Sequence, residues 1–128
     1  MSVLDIEAYR RDGYAVVEGL FAAGECEAFV EHMMNLQAGR HAVQGFAPRR
    51  VNEWGRTHNQ HWYDEVARQW LIDPKLEAPL RQCLDDEPEG IQTMYFWVGS
   101  EQRRHQDQFY LPGCMSAWIA LQDVDVQN

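Results

Sequence analysis

The chain has 128 residues, 45% of them hydrophobic and 24% charged, with a formal net charge of −9 at pH 7. That length suits one domain with a modest core, and the acidic balance argues against nucleic acid or an anionic membrane as main partner, because phosphate neutralisation needs clustered Lys and Arg. No apolar run of about 18 residues exists to span a membrane, and Met1-Ser2-Val3-Leu4-Asp5 lacks the basic and apolar regions of a signal peptide, so a cytoplasmic protein is expected.

In chain order, Asp5 to Asp12 reads as a short amphipathic helix stopped by Gly13. Tyr14 to Val17 follows as a strand. A second helix is predicted over Ala23 to Gln37, where Cys26, Phe29, Val30, Met33, Met34 and Gln37 recur at three- and four-residue spacing, and Gly39 closes it. Residues 39–62 carry Gly, Pro, Asn and aromatics without clean periodicity and read as a structured loop region. Tyr63 to Leu71 and Pro74 to Leu84 are predicted helices, the second with Pro in its first turn. After a turn at Asp85 to Gly90 the pattern changes to strands: Ile91 to Val98, His105 to Leu111 and Cys114 to Leu121, separated by the turns Gly99 to Arg104 and Pro112-Gly113. No repeat, linker or low-complexity tract divides the chain, so residues 1–128 are read as a single domain of α+β class.

Cys26, Cys83 and Cys114 are widely spaced and form no CxxC pair, which points to buried free thiols rather than a zinc knuckle or a disulfide framework. The basic pairs Arg49-Arg50 and Arg103-Arg104 read as solvated surface.

The triplet His105-Gln106-Asp107 carries the chemistry. On a strand, residues i and i+2 point the same way, so His105 and Asp107 can aim at one metal ion while Gln106 faces elsewhere. An imidazole and a carboxylate are two-thirds of the 2-His-1-carboxylate triad of non-haem Fe(II) oxygenases. Alone, a His-x-Asp triplet is a weak signal, and a solvated pair at a sheet edge is the favoured reading. His58-Asn59-Gln60-His61 with Asp64 is a second cluster of ligand-type residues, which a helix would place roughly on one face. It lacks the Glu of a zinc-protease HExxH, and with Trp54 and Trp62 it is expected to line or rim a pocket. Arg56 could hold an acidic group there, against the plainer reading of an exposed arginine. His32 and His41 look like ordinary helix and loop positions. No GxGxxG, P-loop, GxSxG or catalytic Cys–His signature occurs.

The context of the triplet is more specific. His105-Gln106-Asp107-Gln108-Phe109-Tyr110-Leu111-Pro112 resembles the metal-binding strand of the phytanoyl-CoA dioxygenase family. Cys114-Met115-Ser116-Ala117-Trp118-Ile119-Ala120-Leu121 is similar to its following strand, and Asp123-Val124-Asp125-Val126-Gln127-Asn128 to the next turn. Tyr9-Arg10-Arg11-Asp12-Gly13-Tyr14-Ala15-Val16-Val17-Glu18-Gly19-Leu20 resembles its opening helix and strand. The resemblance implies N-terminal helices followed by the first strands of a double-stranded β-helix (jelly roll), with the barrel incomplete in this chain. It implies Fe(II), 2-oxoglutarate as co-substrate and O2. His105 and Asp107 would be the metal ligands and catalytic residues. Met94 and Trp118 would lie beside 2-oxoglutarate, with Gln92 a further candidate because it shares the face of Met94. Without the resemblance, Met94 and Trp118 read as core residues and Gln92 as solvent-facing.

The implied activity is hydroxylation of a small organic substrate, since the related iron halogenases lack the carboxylate that Asp107 supplies. The family's second histidine and its co-substrate-binding arginine come well downstream, and no histidine follows His105 in this sequence. The expectation is therefore an N-terminal portion of a dioxygenase domain, inactive alone unless a second chain completes the site. The alternative is a truncated, non-catalytic binding or interaction module with an incomplete metal site.

Overall fold

The computed structural model describes residues 3–49, 55–98, 103, 105 and 112–127. Its centre is the long helix α2 (Ala23–Gln37). Four side chains at spacings of three and four, Cys26, Phe29, Met33 and Leu36, form its buried face. Met33 and Leu36 are the most enclosed, at 0% and 1% exposure, while Met34, predicted on the same stripe, is half exposed on the far side. Burying a side chain such as Met33 or Leu36 contributes roughly 1.5–3 kcal/mol, so this stripe dominates local stability. Ala22 offers no capping side chain, and Glu25 compensates by accepting the Ala22 N–H at 2.8 Å. At the other end the chain turns through Gly39, whose φ of +72° suits a residue without Cβ.

Among the described residues there are three further α-helices. The first, α1 (Ile6–Asp12), starts with Asp5 accepting from Ala8 N–H at 2.9 Å and ends at left-handed Gly13. Next comes α3 (Glu65–Leu71), capped by Asp64, which accepts from Val66 N–H at 3.0 Å. The last, α4 (Pro74–Leu84), is capped by Asp73, with Pro74 in its first turn where an N–H is dispensable. Helix α1 lies against α4. Lys75 of α4 ties that flank to α2 by pairing with Glu25, its Nζ lying 4.6 Å from the centre of the Phe21 ring.

Strands β1 (Arg56–His58) and β2 (Met94–Phe96) pair antiparallel, with Arg56 opposite Phe96, Thr57 opposite Tyr95 and His58 opposite Met94. Flanking bonds, Asn59 N–H to Thr93 O at 2.8 Å and Trp97 N–H to Gly55 O at 2.7 Å, extend the contact. Facing partners share one side of a sheet. Tyr95 turns to the core, packing with Trp97 against the cluster of Phe29, Met33, Leu36 and Ala67. Phe29 meets Tyr95 edge-on at 5.6 Å and Trp70 at 5.1 Å, so one aromatic joins α2, α3 and the sheet. Met94 and Phe96 face outward, at 43% and 36% exposure, with the Arg56 guanidinium 4.9 Å from the Phe96 ring centre.

Between α2 and β1 the chain loops outward and is pinned midway. The Gln37 side chain grips the backbone of Arg49 with both of its polar atoms, Oε1 accepting from N–H and Nε2 donating to C=O, each at 2.9 Å. Arg49 is half-buried rather than solvated, and its Nε donates to Thr57 Oγ1 at 3.4 Å. Gly45 takes a φ of +104° against the Tyr63 ring, where a Cβ would come within 2.8 Å.

The mixed helix-and-strand content matches the α+β expectation, α2 and α4 begin and end where the sequence placed them, and α1 and α3 start one and two residues later, at Ile6 and Glu65, because Asp5 and Asp64 serve as caps. The strands differ. Among the described residues the sheet has two strands, and the expected strand Ile91 to Val98 shortens to Met94–Phe96. Tyr14 to Val17 and Cys114 to Leu121 have no ladder partner among the described residues, although Tyr14 and Val16 are exposed and Ala15 and Val17 half-buried, as a period of two requires. Alternation sets which side chains turn inward, but a strand also needs a neighbour for its N–H and C=O groups. Strand β1 arises inside the region read as loop, and most of His105 to Leu111 lies outside the described residues. All three cysteines are free, as expected, but only Cys26 is buried; Cys83 and Cys114 are half-buried.

Candidate active site

His105 is exposed, and its Nδ1 lies 2.9 Å from Arg103 O. A carbonyl oxygen can only accept, so Nδ1 carries the proton and the neutral ring's lone pair sits on Nε2. That is how second partners commonly orient a metal-ligating imidazole. Asp107, expected beside it, lies outside the described residues. Among the described residues no three His, Cys, Asp or Glu side chains gather as a metal-binding group.

His105 and Trp118 line the same cavity, of about 550 Å³, whose walls also include Tyr14, Leu80, Cys83 and Cys114. That volume lies in the range of small-molecule sites. The wall comes from α1, the segment after it, α4 and residues 114–119. Burial pushes the Cys83 thiol up, so it stays protonated at neutral pH. Met94 and Gln92 are not part of this wall: Met94 stands on the outer face of β2 opposite His58, and Gln92 is exposed ahead of the strand. The structure thus brings together His105 and Trp118 and leaves the other two described candidates elsewhere.

The second predicted cluster divides differently from the helical face expected of it. His58 ends β1, Asn59 takes a left-handed turn with φ of +53°, and His61 sits in a 3-10 turn, Gln60–Trp62. None of these residues lines the His105 cavity. His61 Nδ1 lies 2.8 Å from Thr93 Oγ1, and burial holds its imidazole below the usual histidine range. Trp62 is 73% exposed, and Trp54 is outside the described residues. Arg56 is half-buried beneath its stacking contact with Phe96.

Asp64 goes furthest from expectation. It is buried, and its Oδ2 accepts from His32 Nε2 at 2.7 Å and from Gln60 Nε2 at 2.6 Å, while Oδ1 caps α3. Burial alone would raise the carboxyl's pKa; the hydrogen bonds from His32 and Gln60, with the Val66 N–H, outweigh it and hold Asp64 below the ordinary carboxylate value. Gln60 Nε2 also points at Met33 Sδ at 3.2 Å, while its Oε1 is buried without a partner. The sequence signals the Asp cap two residues before Val66, but nothing in it joins His32 to Asp64 across 32 positions.

The sequence model of the phytanoyl-CoA dioxygenase family matches residues 9–128, nearly the whole chain. The chain belongs to the phytanoyl-CoA dioxygenase family. That family is known for oxygenases that depend on Fe(II) and 2-oxoglutarate, so the chain's relatives are oxidoreductases of that type. Comparisons with curated proteins and with solved structures gave no match. Among the described residues no helix is long and apolar enough to cross a membrane.

Proposed function

We propose that this chain carries part of the active site of an Fe(II)/2-oxoglutarate-dependent dioxygenase that hydroxylates a small organic substrate. The observation that carries the reading is the family match across residues 9–128, with His105 at a substrate-sized cavity and its Nδ1 donating to the Arg103 carbonyl. The residues present suit the metal: an imidazole oriented through its Nδ1 is a good Fe(II) ligand, and Asp107 follows at the two-residue spacing that, on a strand, would put a carboxylate on the same face. The bound iron and co-substrate would supply the oxidising power for C–H hydroxylation.

The chain's own residues do the rest. The Arg103 carbonyl holds the His105 ring in one tautomer. Trp118 presents a large flat apolar face to the same cavity and would help exclude water from it. Met94 and Gln92, which stand apart from the His105 cavity here, are proposed as co-substrate contacts only once the remaining strands of the barrel are in place. The double-stranded β-helix is the proposed architecture of the complete catalytic domain. Since no histidine follows His105 in this sequence, the second imidazole and the arginine that binds 2-oxoglutarate are proposed to come from another polypeptide segment.

The test is anaerobic addition of Fe(II) and 2-oxoglutarate, followed by the visible charge-transfer band of the chelate. A band that disappears in His105→Ala and Asp107→Ala supports the site. Partner binding and folding that survive both substitutions, with no band in the parent chain, would favour the non-catalytic interaction module instead.

A further inference from the structure

We propose a second metal site, separate from His105, in which His32 and His41 together bind an imidazole-seeking divalent ion such as Zn2+. Three observations lead there. Both oxygens of Asp64 accept from groups that can only donate, Oδ2 from Gln60 Nε2 and Oδ1 from Val66 N–H, so the proton between Asp64 and His32 belongs to His32 Nε2. Neutral His32 is therefore fixed in the tautomer whose lone pair lies on Nδ1, and Nδ1 makes no hydrogen bond among the described residues. A carboxylate holding the far nitrogen of an imidazole is the usual support of a metal-ligating histidine, raising its basicity and fixing its ring.

The second ligand is close by. The His32 and His41 rings are 5.5 Å apart, centre to centre, and inclined at 52°. With Zn–N bonds of about 2.0–2.1 Å, two imidazoles on one tetrahedral ion carry their ring centres roughly 5–6 Å apart. His41 is exposed, and neither of its ring nitrogens makes a hydrogen bond among the described residues. The end of α2 brings it there: Asn35 O accepts from Arg40 N–H at 2.9 Å and from His41 N–H at 3.4 Å, folding the chain back over the helix. The neighbouring cation is occupied, since Arg40 Nε donates to Asn35 Oδ1 at 2.6 Å.

Charge favours the ion as well. Asp64 is a buried anion balanced by hydrogen bonds alone when His32 is neutral, and a dication on Nδ1 would offset it through the ring. No third His, Cys, Asp or Glu is gathered here among the described residues, so water completes the coordination shell. The ion would staple the loop after Gly39 to the middle of α2.

The experiment is Zn2+ binding to the full chain, by competition with a chromophoric chelator. The expected result is one ion bound by the parent and by His105→Ala, with binding at least about tenfold weaker in His41→Ala and His32→Gln, and about tenfold weaker in Asp64→Asn, as for other supporting carboxylates. Because His41 is exposed, His41→Ala reports on the site without disturbing the core, and the His41 ring signals should shift on Zn2+ addition. Absence of binding by the parent, unchanged binding in His41→Ala, or loss of the ion in His105→Ala would each overturn the proposal. The last arm also keeps the two sites distinguishable, since the band assigned to His105 should persist in His41→Ala.

Discussion

Two regions of this molecule close themselves by different means. Around α2, α3 and the β1–β2 pair, side chains cross between elements: Phe29 touches both Trp70 and Tyr95, and Asp64 takes hydrogen bonds from His32 and Gln60. Around the His105 cavity, α1 has no buried residue and α4 only Leu76, and the facing segments leave Tyr14 67% and Trp118 68% exposed. The same chain thus has a densely interlocked half and a half with few interlocking contacts, where binding can reshape the surface at little cost in core packing. His105 and Trp118 sit on the second, and the best-defined polar network sits on the first.

Substitutions should separate the two sharply. Asp64→Ala strips a buried partner from His32 and Gln60 and removes the cap of α3. The expected loss is about 3–5 kcal/mol, read as a fall in the urea midpoint. Met33→Ala, at a fully buried site, should cost roughly 2–5 kcal/mol in the same assay. Gly45→Ala should cost on the order of 1–3 kcal/mol, because it combines a positive φ with a Cβ pressed on the Tyr63 ring. On the cavity side, Trp118→Ala should change stability by no more than about 0.5 kcal/mol, and a loss as large as that of Met33→Ala would erase the contrast.

The pH dependence sharpens it further, because both resolved histidine and aspartate shifts in the packed half run downward. A group whose pKa is lowered by folding leaves the unfolded chain holding more protons, so stability falls as pH falls. For His61 the contribution is present above its ordinary value of 6.5 and drains away on acidification below it. For Asp64 the contribution is present above 3.8 and is lost as pH drops through the lower folded value. Urea midpoints measured against pH should therefore decline in two steps, with Asp64→Asn abolishing the lower and His61→Gln the upper.

Much of this was legible in the sequence where the signal is local. The helix ends at Asp5 and Gly13, at Gly39, and at Asp73-Pro74 are written in capping residues, and the α2 stripe in its three-and-four spacing. What escaped depends on partners distant in the chain. Arg56-Thr57-His58 has no strand signature, and it becomes β1 because Met94 to Phe96 offers it a ladder and Trp97 Nε1 donates to Thr57 Oγ1 at 2.8 Å. Asp64 looked like a pocket residue because its neighbours His58 and His61 are ligand types, and only His32, far upstream, turns it inward. At the candidate site, the His-x-Asp spacing and the family motifs named His105 and Trp118. The spacing does not announce the carbonyl that fixes the His105 tautomer or the cavity that the two residues share.

The double grip of Gln37 on Arg49 has a topological consequence. A side-chain amide here does the work of a peptide group, closing the intervening residues into a ring tied at its neck. Inside such a ring, length is forgiving: doubling it adds only about 0.6 kcal/mol of closure entropy. Insertions between Gly39 and Phe46 should be absorbed without moving β1, provided Gly45 keeps its place against Tyr63. Replacing Gln37 with leucine unties the neck, and the slack then reaches the register of Arg56 against Phe96.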